Sequence, residues 1–177
     1  FSPDGTQLAF SSDRTGNYDI WVISLRDGDL QQITHDASNE HSPAWSPDGT
    51  RLAYAVDVGS TSGEIRVADL NSDNPQVVAA ETAIINGISW QPDGSGLSYQ
   101  SLSRNPGAVT ELKRLSLTSG RTQTLSEAGD DVFPFRGSWL DERTILYTVN
   151  GRIRQQTLAG ASSEIGFSAT LPLNRQP

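Results

Sequence analysis

The sequence predicts an all-β fold of the propeller type, and three observations lead to this prediction. Residues 45–54, WSPDGTRLAY, recur in modified form at 1–10, 90–99 and 139–147, so the aromatic residues that open the copies are 44, 45 and 49 residues apart. Each copy has the composition of a tight turn between two strands. No stretch shows the 3.6-residue apolar period of a helix. About 40 to 45 residues per four-stranded unit is the spacing of propeller blades.

The turn inside each copy explains how the chain reverses. In the sequence Ser-Pro-Asp-Gly at 46–49, Pro47 sets φ at the second turn position and Asp48 is tolerated at the third. Gly49 can then adopt the positive φ that returns the chain. We therefore expect an aromatic residue at the end of one strand, then the turn, then a second strand. Later copies place a tryptophan at this strand end, expected in the core between blades rather than in a ligand cage: Trp45, Trp90 and Trp139.

Between the turns, runs of β-branched and aromatic residues predict the other strands of each unit. In the first unit the predicted strands are 7–12, 19–25 and 30–34, and in the second they are 42–46, 51–56, 64–70 and 76–80. In the third unit they are 88–90, 96–100, 110–117 and 122–126, and in the fourth 144–149, 152–158 and 163–167. Asn150-Gly151 is the sequence of a two-residue type I′ hairpin turn.

Consecutive apolar residues in several strands indicate that both faces of each sheet are covered. The segments 19–25 and 145–149 show this pattern instead of strict alternation. Sheets stacked face to face around an axis cover both faces. A β-sandwich of about 14 strands would do so as well, but it leaves the repeat period unexplained. We predict about four four-stranded antiparallel blades, with approximate boundaries 1–41, 42–87, 88–135 and 136–168, and a closing segment or linker at 169–177.

Composition and charge exclude several classes of partner. The 177 residues include 13 Lys and Arg against 21 Asp and Glu, a formal net charge of −8, with no cluster of basic residues. Such a surface disfavours nucleic acid and anionic membranes. No run of about 18 apolar residues could span a bilayer, so we expect no membrane insertion. The absence of Cys excludes disulfides and thiolate metal sites without fixing the compartment.

The first residue falls inside a repeat. The chain starts at Phe1, the aromatic residue of the first copy, and it contains no Met. We therefore expect this chain to be a piece of a longer protein, with any targeting signal outside it.

Two segments carry a resemblance to a known family. Residues 1–25, FSPDGTQLAFSSDRTGNYDIWVISL, and residues 42–54, SPAWSPDGTRLAY, resemble the TolB-type β-propeller repeat, which is related to the WD repeat. The resemblance is close in the first two units, partial in the third and faint in the fourth, where Leu140-Asp141-Glu142 replaces the turn sequence. It implies a larger parent propeller of about six or seven blades, of which this chain supplies about four.

The resemblance also implies where such a chain functions. Propellers of this family occur in the periplasmic Tol protein, where they dock a lipoprotein, and as N-terminal domains of serine peptidases and amidohydrolases. The tail at 165–173, IGFSATLPL, is similar to the segment that closes the propeller before an amidohydrolase domain. We therefore expect a periplasmic or otherwise extracytoplasmic location.

No arrangement of residues in the sequence points to catalysis. The chain has no Gly-x-Ser-x-Gly nucleophile elbow, no phosphate-binding Gly-rich loop with Lys, and no paired-His zinc motif. We expect a non-catalytic chain that uses no metal or other cofactor.

The candidate binding site lies on the loops between strands. Loops from successive blades converge at one end of a propeller, where they can form a shared rim. The loops expected on this rim are 13–17, 35–41, 57–63, 82–87, 104–108 and 130–133. The candidate binding residues on them are Asp13, Arg14, Glu40, His41, Asp57, Arg104, Asp130 and Asp131.

Several of these candidates also have a structural interpretation. His35 and His41, with acidic residues between them, could ligate a metal or exchange protons, or could lie in a solvated loop. The resemblance implies that Asp13-Arg14 and Asp19 are structural, with the arginine binding a carboxylate and loop carbonyls. Asp130-Asp131 could hold a cation or form a solvated turn.

The sequence therefore predicts a non-catalytic module that docks a protein partner or a small ligand through its rim loops. The alternative is an accessory propeller that gates or presents substrate to the catalytic domain of a larger extracytoplasmic amidohydrolase or serine peptidase. An open arc of blades would leave sheet faces exposed and would favour self-association.

Overall fold

The fold consists of β-strands joined by turns and loops. A computed structural model describes residues 1–70, 74–103, 105 and 107–166. Within these residues there are fifteen strands and no helix, so no helical segment there could cross a membrane. The predicted closing segment 169–177 lies outside the described residues.

The strands form four antiparallel sheets, in each of which strands adjacent in sequence are paired. Sheet 1 contains β1 (Gln7–Ser12), β2 (Asp19–Ser24) and β3 (Leu30–Gln32), and sheet 2 contains β4 (Glu40–Trp45), β5 (Arg51–Val58), β6 (Ser62–Asp69) and β7 (Gln76–Glu81). Sheet 3 contains β8 (Ile84–Trp90), β9 (Gly96–Leu102), β10 (Thr110–Ser116) and β11 (Thr122–Thr124). Sheet 4 contains β12 (Ser138–Trp139), β13 (Thr144–Val149), β14 (Arg152–Thr157) and β15 (Ser162–Ile165). The predicted all-β fold of propeller blades is confirmed, with three described strands in sheet 1.

Several strands extend further into the loops than the sequence predicted. β8 begins at Ile84 rather than at 88, because Ile85 is buried between sheets 2 and 3 and pairs with Ser101. β4 begins at Glu40, which pairs with Val56. The polar sequence before β4 suggested a loop, but pairing with the neighbouring strand makes its last residues part of the sheet. The connections that remain are shorter than predicted, at 59–61 and 82–83.

The repeated turn is closed by its aspartate. The Gly49 N–H donates to the Ser46 carbonyl (2.9 Å), and Gly49 has the predicted positive φ of 72°. One carboxylate oxygen of Asp48 accepts hydrogen bonds from Ser46 Oγ (2.6 Å) and from the Thr50 N–H (3.1 Å). These bonds lower the pKa of Asp48 to about 2. Asp48 is therefore a structural acceptor and not merely a tolerated turn residue.

The hydrophobic core lies in three layers, each between adjacent sheets. Ile20 of sheet 1 packs with Leu52 of sheet 2. Ile65 of sheet 2 belongs to the layer that extends into sheet 3. Leu112 of sheet 3 packs with Ile145 of sheet 4. The order of the layers places the four sheets side by side in chain order, as in successive blades.

The tryptophans that end the inner strands belong to these layers, as predicted. Trp90 is 6% exposed, and its Nε1–H donates to the Ala44 carbonyl in the inner strand of sheet 2 (3.0 Å). Trp45 packs between sheets 1 and 2, and Trp139 between sheets 3 and 4. They are core residues and do not form a ligand cage.

Because the strands alternate in direction, every second connection lies at the same end of the blades. The end called here the loop end comprises 13–18, 33–39, 59–61, 82–83, the described residues 103, 105 and 107–109, 125–137 and 150–151. Asn17 Nδ2 donates to the carbonyls of Asp36 (2.8 Å) and Ser38 (2.6 Å), and the Asp57 N–H donates to the Asn39 carbonyl (2.9 Å). The first loops of the predicted rim are therefore in direct contact. The Ser-Pro-Asp-Gly turns lie at the opposite end, the turn end.

Candidate functional site

The inner strand β8 contacts both β4 and β12, and the side of the sheets along these three strands is called here the channel. Both β4 and β8 contain an irregularity of register, where Ser42 (φ 55°) and Gly87 (φ 58°) adopt left-handed conformations. Each of these residues precedes the tryptophan of its strand by three positions. Arg136 occupies the corresponding position before Trp139. The channel thus has small residues in two blades and an arginine in the third.

A polar cleft of about 300 Å³, called here the His41 cleft, lies at the loop end of the channel. His41 Nε2 lies 3.3 Å from Asp57 Oδ1, and the two side chains are 25% and 42% exposed. Asn86 of the next inner strand also lines the cleft. The rest of the lining consists of Gly59, Ser60, Ser62 and Ile84. The cleft therefore presents an imidazole, a carboxylate and an amide to a ligand.

The two histidines do not face a common site. His35 lines a separate groove of about 400 Å³, beside the outer strand of sheet 1 and against sheet 2. Among the residues that the structure describes, no group of three or more His, Asp or Glu side chains could hold a metal ion. The geometry therefore does not support a joint metal-binding or proton-exchanging role for His35 and His41.

Glu40 is not a rim residue, which corrects the prediction. It lies in β4 and is 0% exposed. Thr34 Oγ1 donates to its Oε2 (3.1 Å), and its Oε1 has no hydrogen-bond partner in the described part of the chain. Burial, with smaller contributions from Asp36 and Asp19, raises the pKa of Glu40 to about 7. The residue was misplaced because its pairing with Val56 turns it into the interface between sheets 1 and 2.

Asp130 is likewise buried and is not a rim residue. Together with Asp131 it connects two parts of the fold, rather than forming a solvated turn. Asp130 forms an ion pair with Arg154 and accepts hydrogen bonds from the Glu127 N–H (2.9 Å) and from Asn150 Nδ2 (3.2 Å). Asp131 is exposed, and its N–H donates to Asn150 Oδ1 (3.0 Å). Both residues hold the loop between sheets 3 and 4 against the hairpin of sheet 4. Arg154, the charge that compensates Asp130, was missed because it lies 24 residues away.

Asp13 and Arg14 have different surroundings: Asp13 faces solvent, whereas Arg14 lies against sheet 1. Asp13 is exposed. The Arg14 guanidinium lies over the rings of Trp21 (4.6 Å) and Phe10 (5.4 Å), and its Nε–H donates to Ser12 Oγ (3.0 Å). Arg14 therefore covers an aromatic face, rather than binding a carboxylate as the resemblance implied.

The structure brings together two of the predicted site residues, His41 and Asp57, in one cleft. Arg104 lies outside the described residues. Sequence reasoning missed Asn86 and Arg136, although aligning the units on their tryptophans places both beside the channel. Aligning the repeats on their tryptophans would therefore have identified Asn86 and Arg136 from the sequence.

Successive antiparallel blades with a polar cleft at the loop end define the class of protein, a β-propeller. The chain belongs to the TolB beta propeller domain family, whose model matches residues 1–175.

The chain is similar to proteins that are much longer than itself. It is 31% identical over 145 residues to the uncharacterized peptidase YuxL of Bacillus subtilis (strain 168), covering 79% of this chain and 20% of YuxL. It is 31% identical over 91 residues to the Tol-Pal system protein TolB of Hydrogenovibrio crunogenus, covering 51% of this chain and 20% of that protein. The structure of TolB from Acinetobacter baumannii has a TM-score of 0.76 at 17% identity, covering 92% of this chain and 42% of that chain. The chain thus covers only 20% of the length of each of these two curated relatives.

Proposed function

We propose that this chain is a non-catalytic docking domain that binds a partner through its loop end. The observation that carries the proposal is the His41 cleft, where loops and strands of sheets 2 and 3 present accessible polar side chains. These side chains contribute little to the core, so a role in recognition explains their position better than a role in stability. Membership in the TolB propeller family supports the proposal.

A peptide-display selection against the immobilised chain tests this proposal. Selected peptides are measured by titration against the wild-type chain and against His41→Ala and Asp57→Asn. The matched control is Arg121→Ala, an exposed residue at the turn end. We expect the two loop-end variants to bind the peptides about fivefold or more weakly, because loss of a central contact costs more than about 1 kcal/mol. Equal losses in the control, or none in the loop-end variants, would contradict the proposal.

A second candidate function is that of an accessory domain that presents substrate to a hydrolase domain of the same polypeptide. The similarity to the peptidase YuxL over 79% of the chain favours it. The coding sequence beyond Pro177 discriminates the two: a following domain with a nucleophile elbow or a cluster of His and Asp favours the hydrolase. Under either function we expect the chain alone to leave a panel of esters, amides and peptides uncleaved.

We propose an extracytoplasmic location and a capacity for self-association as further parts of this function. The TolB homologues support the location. Two exposed apolar residues of sheet 1 and its β2–β3 turn, Leu30 (42%) and Leu25 (49%), support association through this sheet. Fractionation of cells expressing the parent protein tests the location, and sedimentation of the chain over a range of concentrations tests association.

A further inference from the structure

Arg136 reaches across the channel. It precedes β12 of sheet 4, and its Nη2–H donates to the Pro43 carbonyl in β4 of sheet 2 (2.8 Å). Sheet 3 lies between these two sheets, as the core layers show. The contact thus links the segment before β12 directly to β4, past the inner strand of sheet 3. The guanidinium group therefore lies against the inner strand β4, which borders the channel.

The charge of Arg136 is not balanced by a neighbouring acid. Within the described ranges, no carboxylate forms an ion pair with Arg136, in contrast to three other cations of the chain. Arg66 pairs with an aspartate, Lys113 with a glutamate and Arg154 with Asp130. A chain with 21 acidic residues thus leaves this channel cation with a backbone carbonyl as its hydrogen-bond partner.

Arg136 is accessible and yet partly dehydrated. Its side chain is exposed, so a ligand entering the channel can touch it. The surrounding inner strands nevertheless displace part of its hydration, and this desolvation lowers the pKa of Arg136 from its ordinary value. An anion that replaces the missing water forms a charge-assisted hydrogen bond, which is stronger than a bond between neutral groups.

An exposed aromatic pair lies directly beside Arg136. Phe135 is 67% exposed and Phe133 is 38% exposed, and their rings meet edge to face with centroids 6.4 Å apart and planes at 77°. The side-chain amide of Gln100, which is 1% exposed, donates to the Phe135 carbonyl and fixes the backbone next to the arginine. Arg136 and the exposed Phe135 are therefore adjacent in the chain at the loop end, where Gln100 bonds the backbone between them.

We propose that Arg136 binds the C-terminal carboxylate of a peptide whose last, apolar side chain packs on Phe135. A guanidinium fork donates two parallel hydrogen bonds to one carboxylate, and the aromatic ring covers the adjacent side chain. A polyanion is disfavoured because the chain carries a net charge of −8 and because Asp57 and Asp131 lie at the same end. The proposal rests on the proposed docking function and specifies the chemistry of the partner.

Isothermal titration with three synthetic peptides tests this assignment. The first is acetyl-Gly-Ala-Ala-Leu with a free C-terminal carboxylate, and the second is the same peptide as its C-terminal amide. The third, acetyl-Gly-Asp-Ala-Leu amide, carries its carboxylate on a side chain. We expect the free acid to bind the wild-type chain and both amides to bind at least about tenfold more weakly, because they lose a charge-assisted hydrogen bond at the terminus.

Variants of Arg136 test whether this residue causes the preference for the free acid over the amide. Arg136→Gln should remove the preference for the free acid, while Arg136→Lys should keep part of it, since a lysine retains the charge without the fork. Arg121→Gln, at the exposed turn end, should leave it unchanged. Circular dichroism checks the fold of each variant, and the comparison of acid with amide in the wild-type chain requires no substitution.

Three results would overturn the assignment: equal binding of acid and amide, equal binding of the side-chain acid, or no binding of the free acid at millimolar concentration. A preference that survives in a folded Arg136→Gln variant would also overturn it. A different result would contradict the docking function itself, namely display-selected peptides that bind His41→Ala as tightly as they bind the wild-type chain. Loss of those peptides in His41→Ala without any acid preference would refute the Arg136 site and leave loop-end docking intact.

Discussion

Replacing Glu40 with glutamine should make the chain more stable at neutral and alkaline pH. Glu40 is 0% exposed, and burial raises its pKa from 4.5 to about 7. Between these values the unfolded chain releases the proton that the folded chain retains, so stability falls as the pH rises through this window. Below pH 4.5 both states are protonated and the effect vanishes. Glu40→Gln keeps a neutral group of similar shape at every pH.

The expected change in the free energy of unfolding follows from the shift in the pKa of Glu40. A rise in the pKa of Glu40 from 4.5 to about 7 corresponds to at most about 3 to 4 kcal/mol, at about 1.4 kcal/mol per pKa unit. The neighbouring loop groups are partly solvated and screen the charge, so we expect a gain of about 1 to 2 kcal/mol at pH 8. Thr34 can still donate its hydrogen bond to the side-chain carbonyl of glutamine.

Urea unfolding of wild-type and variant chains at pH 4, 6 and 8 measures this effect. We expect similar stability at pH 4 and a growing advantage of Glu40→Gln toward pH 8. Glu142→Gln is the control, because Glu142 is exposed and its neutralisation should not change the pH dependence. A variant that is less stable than the wild-type chain at pH 8, or that keeps the wild-type pH dependence, would refute the assignment of Glu40 as a buried, proton-retaining carboxyl group.

Other substitutions test the turn, the buried ion pair and the channel backbone. Asp48→Ala should lower the midpoint of thermal unfolding at neutral pH, and the difference should shrink as the pH falls toward about 2, where the wild-type carboxylate is protonated. Arg154→Met should destabilise the chain by about 3 to 5 kcal/mol in urea unfolding, because it leaves Asp130 buried without its partner. Gly87→Ala should destabilise the chain more than Gly59→Ala, since both have positive φ but only the new Cβ at 87 would lie 1.8 Å from a buried side-chain oxygen. Equal effects of the two glycine substitutions would contradict the close contact at the channel.

Local features of the fold were predictable because nearby residues determine them. Asn150 and Gly151 have φ values of 51° and 75°, as the predicted type I′ turn requires. The tryptophans that mark the repeat occupy equivalent positions in the three core layers because each repeat places them at the same strand end. Pro47 and Gly49 formed the predicted turn for the same reason.

Long-range contacts account for what sequence reasoning missed. Glu40 is polar and follows a polar loop, and only its pairing with Val56 shows that it is buried. Arg136 contacts Pro43, which lies 93 residues away in the chain. Such distances are set by how the sheets pack around the channel, and no local pattern encodes them. Alignment of the repeats places Arg136 beside the channel but does not show that it lacks an acidic partner.

The most direct test of loop-end docking is a map of amide chemical shifts during titration of the isotope-labelled chain with a display-selected peptide. We expect shifts concentrated at His41, Asp57 and Asn86, with Asp48 and Arg121 at the turn end unchanged. Shifts concentrated at the turn end, or spread evenly over both ends, would contradict docking through the loop end.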